Sequence, residues 1–306
     1  MKTLVTGGAG FIGSNLADRL LADGHEVRVV DDLSTGKESN LTGALETGRC
    51  ELVKMSVTDK SFADLVDGID VVYHLAAQAD VRISVADPVF DVDVNVLGSV
   101  NVFEAAANAG VGRVVFASSG GTIYGEPAVL PVDESAPQRP LSPYGVAKKA
   151  AGDYLYYYQQ VRGIDGVVLA LANIYGPRQD PHGEAGVVSI FAGVINEGKA
   201  PVIYGDGSQT RDFVFIDDVV DAFVLAAERG DGLMNIGTGE ETSVNELYYE
   251  IAKAMGSDAK PEYGPARTGE LSHIALDASL AERELGWAPK TGLPSGLAKT
   301  IDWIRS

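Results

Sequence analysis

The sequence predicts an α/β fold: a doubly wound parallel sheet wrapped by helices, with a smaller mixed α/β region laid over it. Three observations carry that expectation. Apolar runs recur at 4–6, 27–30, 52–53, 71–74, 114–117 and 167–171, and they are apolar throughout rather than alternating, as strands buried on both faces are. Helical patterns lie between them near 11–22, 90–109 and 143–162. Beyond about residue 174 the rhythm changes to proline- and glycine-rich connections with shorter helices near 217–228, 244–255 and 293–304.

The first strand ends in Gly7-Gly8-Ala9-Gly10-Phe11-Ile12-Gly13 and opens directly into a helix. Gly7, Gly10 and Gly13 are spaced three apart, which permits a tight turn and leaves no side chain between the helix N-terminal amides and an approaching diphosphate. Eighteen residues after Gly13 the second run finishes in Asp31. An acid there accepts hydrogen bonds from an adenosine ribose and repels a 2′-phosphate, so the pair points to NAD rather than NADP in a Rossmann-type site. The helix at 143–162 is announced by Ser142-Pro143, an N-cap followed by proline in the first turn. These elements divide the chain into a cofactor-binding domain over 1–173 and a substrate-binding region over 174–306, with a boundary open to later strands that return to the sheet. No internal repeat or low-complexity segment interrupts either part.

The 306 residues suffice for a large core. Acidic residues number 43 against 24 basic, for a net charge of −19, which opposes general affinity for nucleic acid or an anionic membrane. An anionic ligand on such a protein needs local arginines to reverse the field, so basic residues within motifs gain weight. Cys50 is the single cysteine, so no intrachain disulfide forms. No apolar run approaches the roughly 20 residues of a membrane span. The amino terminus shows no basic region or cleavage site of a signal peptide, and the expected setting is cytoplasmic. No metal-ligand cluster is expected.

Tyr144 and Lys148 lie four apart on the 143–162 helix, on one face and within mutual reach. An ammonium beside a phenol favours the phenolate, a base usable near neutrality. Tyr249 and Lys253 repeat the spacing in the 244–255 helix, where a solvated helix face is expected. What distinguishes Tyr144 is the strand before its helix, Val114-Val115-Phe116-Ala117-Ser118-Ser119, whose hydroxyls emerge at the carboxyl end, the edge where parallel sheets bind ligands.

With the glycine turn, Ser119, Tyr144 and Lys148 resemble the Ser-Tyr-Lys set of the extended short-chain dehydrogenases/reductases. Within that group the chain is similar to the NAD-dependent epimerases and dehydratases, above all to the UDP-glucose 4-epimerases. The likeness runs through Gly7 to Gly13, Asp31, His74-Leu75-Ala76-Ala77, Asn95, Ser118-Ser119, Tyr144 with Lys148, Asn173, Arg211 in Thr210-Arg211-Asp212-Phe213, and Arg267 with Glu270. It implies NAD held through a complete catalytic cycle, a UDP-sugar substrate and a homodimer built on two long helices. The implied cofactor residues are Gly7, Gly10, Phe11, Ile12, Gly13, Asp31, Asp32, Ser56, Val57, Leu75, Ala76, Ala77, Asn95, Ser118, Tyr144 and Lys148. The implied substrate residues are Ser119, Thr122, Tyr144, Asn173, Val187, Arg211, Arg267 and Glu270. Guanidinium forks suit a diphosphate in an acidic protein, although Arg211 beside Asp212 also fits a surface ion pair and Asn173 a turn cap.

Three departures bear on the chemistry. The loop Ser118-Ser119-Gly120-Gly121-Thr122-Ile123-Tyr124-Gly125 is one residue longer than the family's usual form. Counting from the strand makes Ser119 the catalytic hydroxyl, with Thr122 as its rival. Ser56 stands where relatives carry an aspartate near the adenine, and Val187 where an asparagine is expected. The loop also lacks the acidic residues that dehydratases and decarboxylases place after the catalytic hydroxyl, which favours simple C4 epimerisation of a UDP-hexose. The alternatives are an epimerase for UDP-glucuronate or a UDP-N-acetylhexosamine, a nucleotide-sugar decarboxylase or reductase, and a non-catalytic NAD-binding sensor.

Overall fold

The computed structural model describes residues 1–181, 186–266 and 271–306. Its centre is one seven-stranded, wholly parallel sheet made of β1 (Lys2–Thr6), β2 (Glu26–Asp31), β3 (Cys50–Lys54), β4 (Val71–His74), β5 (Arg113–Ser119), β6 (Asp165–Leu171) and β7 (Gly232–Ile236), in the order β7-β6-β5-β4-β1-β2-β3. The first six match the apolar runs in place. β7 comes from the irregular second half and pairs with β6 from Gly232↔Val167 to Ile236↔Leu171.

The all-apolar runs follow from burial on both faces. Val5, Val115 and Ala117 pack into the core on one side, while Leu4, Val114 and Phe116 pack into the core on the other. Each fully buried Val, Leu or Phe among them contributes roughly 1.5–3 kcal/mol. The chain reverses its winding direction between β1 and β4, and the crevice at their carboxyl ends is the topological switch point where doubly wound sheets bind ligands.

Three helices frame that crevice. α1 (Phe11–Ala22) starts from the glycine turn. A near-continuous helix runs from Pro88 through a π-helical turn at Asp93–Leu97 into α2 (Gly98–Ala109) and ends on left-handed Gly110. α3 (Pro143–Tyr157) is capped by Ser142, whose Oγ accepts from Gly145 N at 3.2 Å, and continues as a π turn to Arg162. The spacing predicts 90–109 and 143–162 as single helices, and the π turns are the local adjustments it does not foresee.

The later part adds three two-stranded pairs, Phe213–Phe215 with Asn173–Tyr175, Thr210–Arg211 with Thr242–Ser243, and Val202–Tyr204 with Glu262–Gly264. Its helices include Val187–Asn196, Ile216–Ala226, Val244–Met255 and Leu293–Arg305. Among the described residues no helix is long and apolar enough to cross a membrane, and no group of three or more His, Cys, Asp or Glu could hold a metal ion. Cys50 is half-buried, and burial pushes its thiol up to about 11.

Candidate active site

The glycine turn is built by close approach. Gly7 has φ +67°, and a Cβ there would sit 2.8 Å from the backbone of Ala76; a Cβ on Gly13 would overlap the Gly7 carbonyl oxygen. Gly10 is the N-cap of α1 and offers no side-chain cap, so the amides of Phe11 and Ile12 open toward an anion.

At the end of β2, Asp31 is buried. Its Oδ2 accepts from Ala9 N at 2.9 Å and its Oδ1 from Leu33 N at 2.8 Å, and burial raises its carboxyl above the usual range. Asp32, next in the chain, is exposed and accepts from Ser34 N at 2.9 Å. Ser56 shares a 3.0 Å hydrogen bond with Thr58, and Val57 is buried behind it. A cradle that any Cβ would fill, an uncapped helix end and a desolvated acid fit NAD: the amides would hold the diphosphate and Asp31 the adenosine ribose.

A buried polar chain shapes the opposite wall. Thr6 Oγ1 accepts from the amides of Leu75 and Ala76, both at 3.1 Å, which leaves its own hydrogen for His74 Nδ1 at 2.8 Å. His74 Nε2 then donates to Ser99 Oγ at 2.9 Å, and Ser99 Oγ donates to Asn95 O at 2.6 Å. This tautomer is the one the network accommodates. Burial, with Lys148 nearby, pushes His74 down to about 3, so it stays neutral. Asn95 is itself engaged: its Oδ1 accepts from Gln78 N at 2.9 Å, and its Nδ2 donates to Gln78 O at 2.8 Å and Asp91 Oδ1 at 2.9 Å. The chain from β1 to Asn95 thereby positions Leu75, Ala76 and half-buried Ala77.

Lys148 is buried on α3, where its ammonium donates to Ala117 O at 3.0 Å and lies 5.8 Å from the centre of the Tyr144 ring. It also sits 5.0 Å over the ring of Phe116, which stacks on His74. Ser118 is buried and Ser119 half-buried at the carboxyl end of β5. Thr122 Oγ1 donates back to Ser119 O at 3.3 Å. A Cβ on Gly145, beside Tyr144, would lie 2.9 Å from Thr122 O, and one on Gly121 would lie 3.7 Å from Asn173 Oδ1. Ser119, Thr122, Asn173, Tyr144 and Lys148 therefore converge on one edge. No carboxylate occurs between Ser119 and Tyr124, and the Tyr124 hydroxyl donates to Asn235 Oδ1 at 2.8 Å. Tyr249, by contrast, is exposed, and Lys253 pairs with Glu250 at 3.7 Å, a solvated face as expected.

Val187 opens the helix Val187–Asn196 and is half-buried. Half-buried Arg211 donates from Nη1 to Thr210 O at 2.7 Å. The ion pair considered for Arg211 and Asp212 does not form. Asp212 is buried and accepts instead from Thr238 N (2.9 and 3.0 Å), Thr238 Oγ1 (2.6 Å), Gly239 N (3.0 Å) and Leu276 N (3.1 Å). Its carbonyl accepts from Asn173 N at 2.9 Å, which ties Arg211's strand to the strand that carries Asn173. Sequence patterning missed this anchor; the signal was a lone acid ahead of the apolar Phe213–Phe215. Glu126 acts as a loop acid, with Oε1 accepting from Ser272 N at 3.0 Å. Arg267 and Glu270 lie outside the described residues.

Comparison with known proteins agrees with this geometry. Residues 3–237 match the model of the NAD dependent epimerase/dehydratase family. The chain is 49% identical to the UDP-glucose 4-epimerase of Mycolicibacterium smegmatis, over 100% of this chain and 99% of that one. Among solved structures, that of Thermotoga maritima UDP-glucose 4-epimerase with UDP-glucose superposes with a TM-score of 0.96 at 43% identity, covering 100% of this chain and 99% of the other. The UDP-N-acetylglucosamine 4-epimerase of Methanobrevibacter ruminantium, in complex with UDP-N-acetylmuramic acid, gives 0.95 at 34% identity, covering 99% and 98%. NAD is thus the cofactor, and the glycine turn and Asp31 have the geometry to receive it.

Proposed function

Since the chain belongs to the NAD-dependent epimerase/dehydratase family, we propose that it is an isomerase inverting C4 of a UDP-hexose, with UDP-glucose and UDP-galactose as the interconverted pair. The observation that carries this reading is the buried Lys148 ammonium, held 5.8 Å from the centre of the Tyr144 ring beside a strand end that presents Ser119 and no carboxylate.

The field of Lys148 favours the Tyr144 phenolate, which takes the proton from the sugar 4-hydroxyl. Ser119 bridges that hydroxyl and aligns it, while Thr122 directs its own hydroxyl to the backbone. Bound NAD supplies a reversible hydride acceptor at C4, so no net oxidation results. Between the two half-reactions the 4-keto sugar turns over in the pocket, tethered by its nucleotide. C4 would then regain its hydrogen on the opposite face while Tyr144 returns the proton to the 4-oxygen, which restores the phenolate.

Arg211 and Arg267 hold the diphosphate and uridine, Glu270 the uridine ribose, Asn173 the sugar-proximal phosphate region, and Val187 lines the sugar pocket. Residues 1–173 serve chiefly the cofactor and 174–306 the nucleotide sugar, with β7 returned to the sheet. Exposed Val89, Phe90 and Leu97 on the helical run from Pro88 into α2, with Val146 on α3 and Val161 on the π turn that follows it, support a homodimer formed on these helices.

A panel of UDP-glucose, UDP-N-acetylglucosamine and UDP-glucuronate, followed by separation of C4 epimers, tests the assignment. Turnover led by UDP-glucose is expected. Release of carbon dioxide from UDP-glucuronate, or net consumption of reduced cofactor, would replace it with a decarboxylase or reductase.

A further inference from the structure

Two loops from opposite halves of the chain meet across the turn that serves the NAD diphosphate. After β2 the backbone folds back over the glycine turn: Lys37 N donates to Ala9 O at 3.0 Å, and Asn40 Nδ2 donates to the same oxygen at 2.9 Å. From the other side, the segment after Asn173–Tyr175 reaches α1. Asn15 Nδ2 donates to Pro177 O at 3.3 Å, and Arg178 Nη2 donates to Asp18 Oδ2 at 2.6 Å. Arg178 holds φ +74°, a left-handed conformation rare for a residue with a side chain. The strained turn carries Asp180 to Lys37, where Oδ2 and Nζ lie 2.5 Å apart.

We propose that Lys37 and Asp180 form a clasp over the N-terminal end of α1 that sets how long NAD stays bound. The inference deepens the proposed function, resting on its requirement that NAD remain through the whole cycle. Neither residue belongs to the glycine turn or to the catalytic edge. Their role is to join two loops that must part before a cofactor seated on α1 can leave.

Charge logic makes the clasp separable from simple electrostatics. A diphosphate is attracted by Lys37 and repelled by Asp180. If the two acted only through that field, Asp180→Asn would slow NAD release and Lys37→Met would speed it. A clasp predicts faster release in both.

The experiment uses purified holoenzyme carrying NAD, with released cofactor captured by excess alcohol dehydrogenase and ethanol and followed by absorbance. Lys37→Met and Asp180→Asn are each expected to release NAD roughly two- to fivefold faster, the scale of a surface ion pair. The exchanged pair, Lys37→Asp with Asp180→Lys, is expected to return to the wild-type rate, and high salt to bring wild type toward the single variants. Release from Asp180→Asn at or below the wild-type rate would overturn the clasp, as would an exchanged pair no slower than the singles. No sugar is present, so wild type that fails to epimerise would remove the proposed reaction while leaving this result standing.

Discussion

Lys148 donates its ammonium to the carbonyl of Ala117 at 3.0 Å, tying the face of α3 that carries Tyr144 to β5 just before the Ser118-Ser119 edge. The contact fixes where the charge sits relative to the phenol. Lys148→Met keeps the side chain's bulk and removes the charge. A fall in kcat of about 10²- to 10⁴-fold is expected, with the acid limb of the kcat/KM profile moving to higher pH because the phenolate loses its stabilising cation. A slower variant with an unmoved profile would reduce Lys148 to packing. The check is a full pH–rate profile of both proteins.

His74 makes stability depend on pH. Its imidazole is pushed down to about 3 by burial and Lys148, against an ordinary value of 6.5. Below pH 6.5 the unfolded chain binds a proton that the folded chain refuses, so this stabilisation is present above 6.5 and is lost as pH falls toward 3. The loss approaches about 1.4 kcal/mol per pH unit. His74→Asn cannot titrate there, so the stability gap between wild type and variant is expected to narrow from pH 7 to pH 4.5 in urea unfolding. A gap independent of pH would show that folded His74 takes up its proton as readily as the unfolded chain does.

Asp212 receives hydrogen bonds from three backbone amides and the Thr238 hydroxyl while buried. Asp212→Asn turns one acceptor into a donor aimed at donors. A destabilisation of about 2–4 kcal/mol is expected, measured by denaturant titration. A raised KM for the UDP-sugar should accompany it, since Arg211 is the adjacent residue. Unchanged stability would mean that the amides find other partners.

Much of the frame was legible because its signals are local. Six strands announce themselves as all-apolar runs, the glycine turn and Asp31 sit at fixed spacing, and Tyr144 and Lys148 share a helix face. What stayed hidden depends on distant partners. β7 is a strand only by pairing with β6, and its five residues, Gly232–Ile236, lie among turns. Asp212 reads as the salt-bridge partner of Arg211 until the amides of Thr238, Gly239 and Leu276 fold over it. The π turns at Asp93–Leu97 and Tyr158–Arg162 leave the helical period nearly intact, so patterning cannot detect them. At the strand end Ser119 stands last in β5 and Thr122 turns its hydroxyl back to the Ser119 carbonyl, a contact that spacing alone does not give.

The proposed dimer makes its own demand. Phe90 and Val161 are 47% and 64% exposed, Phe90 on the helical run from Pro88 and Val161 on the π turn after α3, and the proposed interface would cover both. Phe90→Glu combined with Val161→Glu is expected to turn a dimer into a monomer in sedimentation velocity at micromolar concentration. A monomeric wild type, or a double variant that remains dimeric, would remove these helices from the interface.

The central claim is that Tyr144 takes the 4-hydroxyl proton while hydrogen leaves C4 and returns to the same carbon. It is tested most directly by following UDP-glucose deuterated at C4 by NMR with wild type and with Tyr144→Phe, both carrying NAD. UDP-galactose retaining deuterium at C4 is expected from wild type, with no detectable product from Tyr144→Phe. Deuterium lost to solvent, or conversion by the phenylalanine variant at the wild-type rate, would contradict the account.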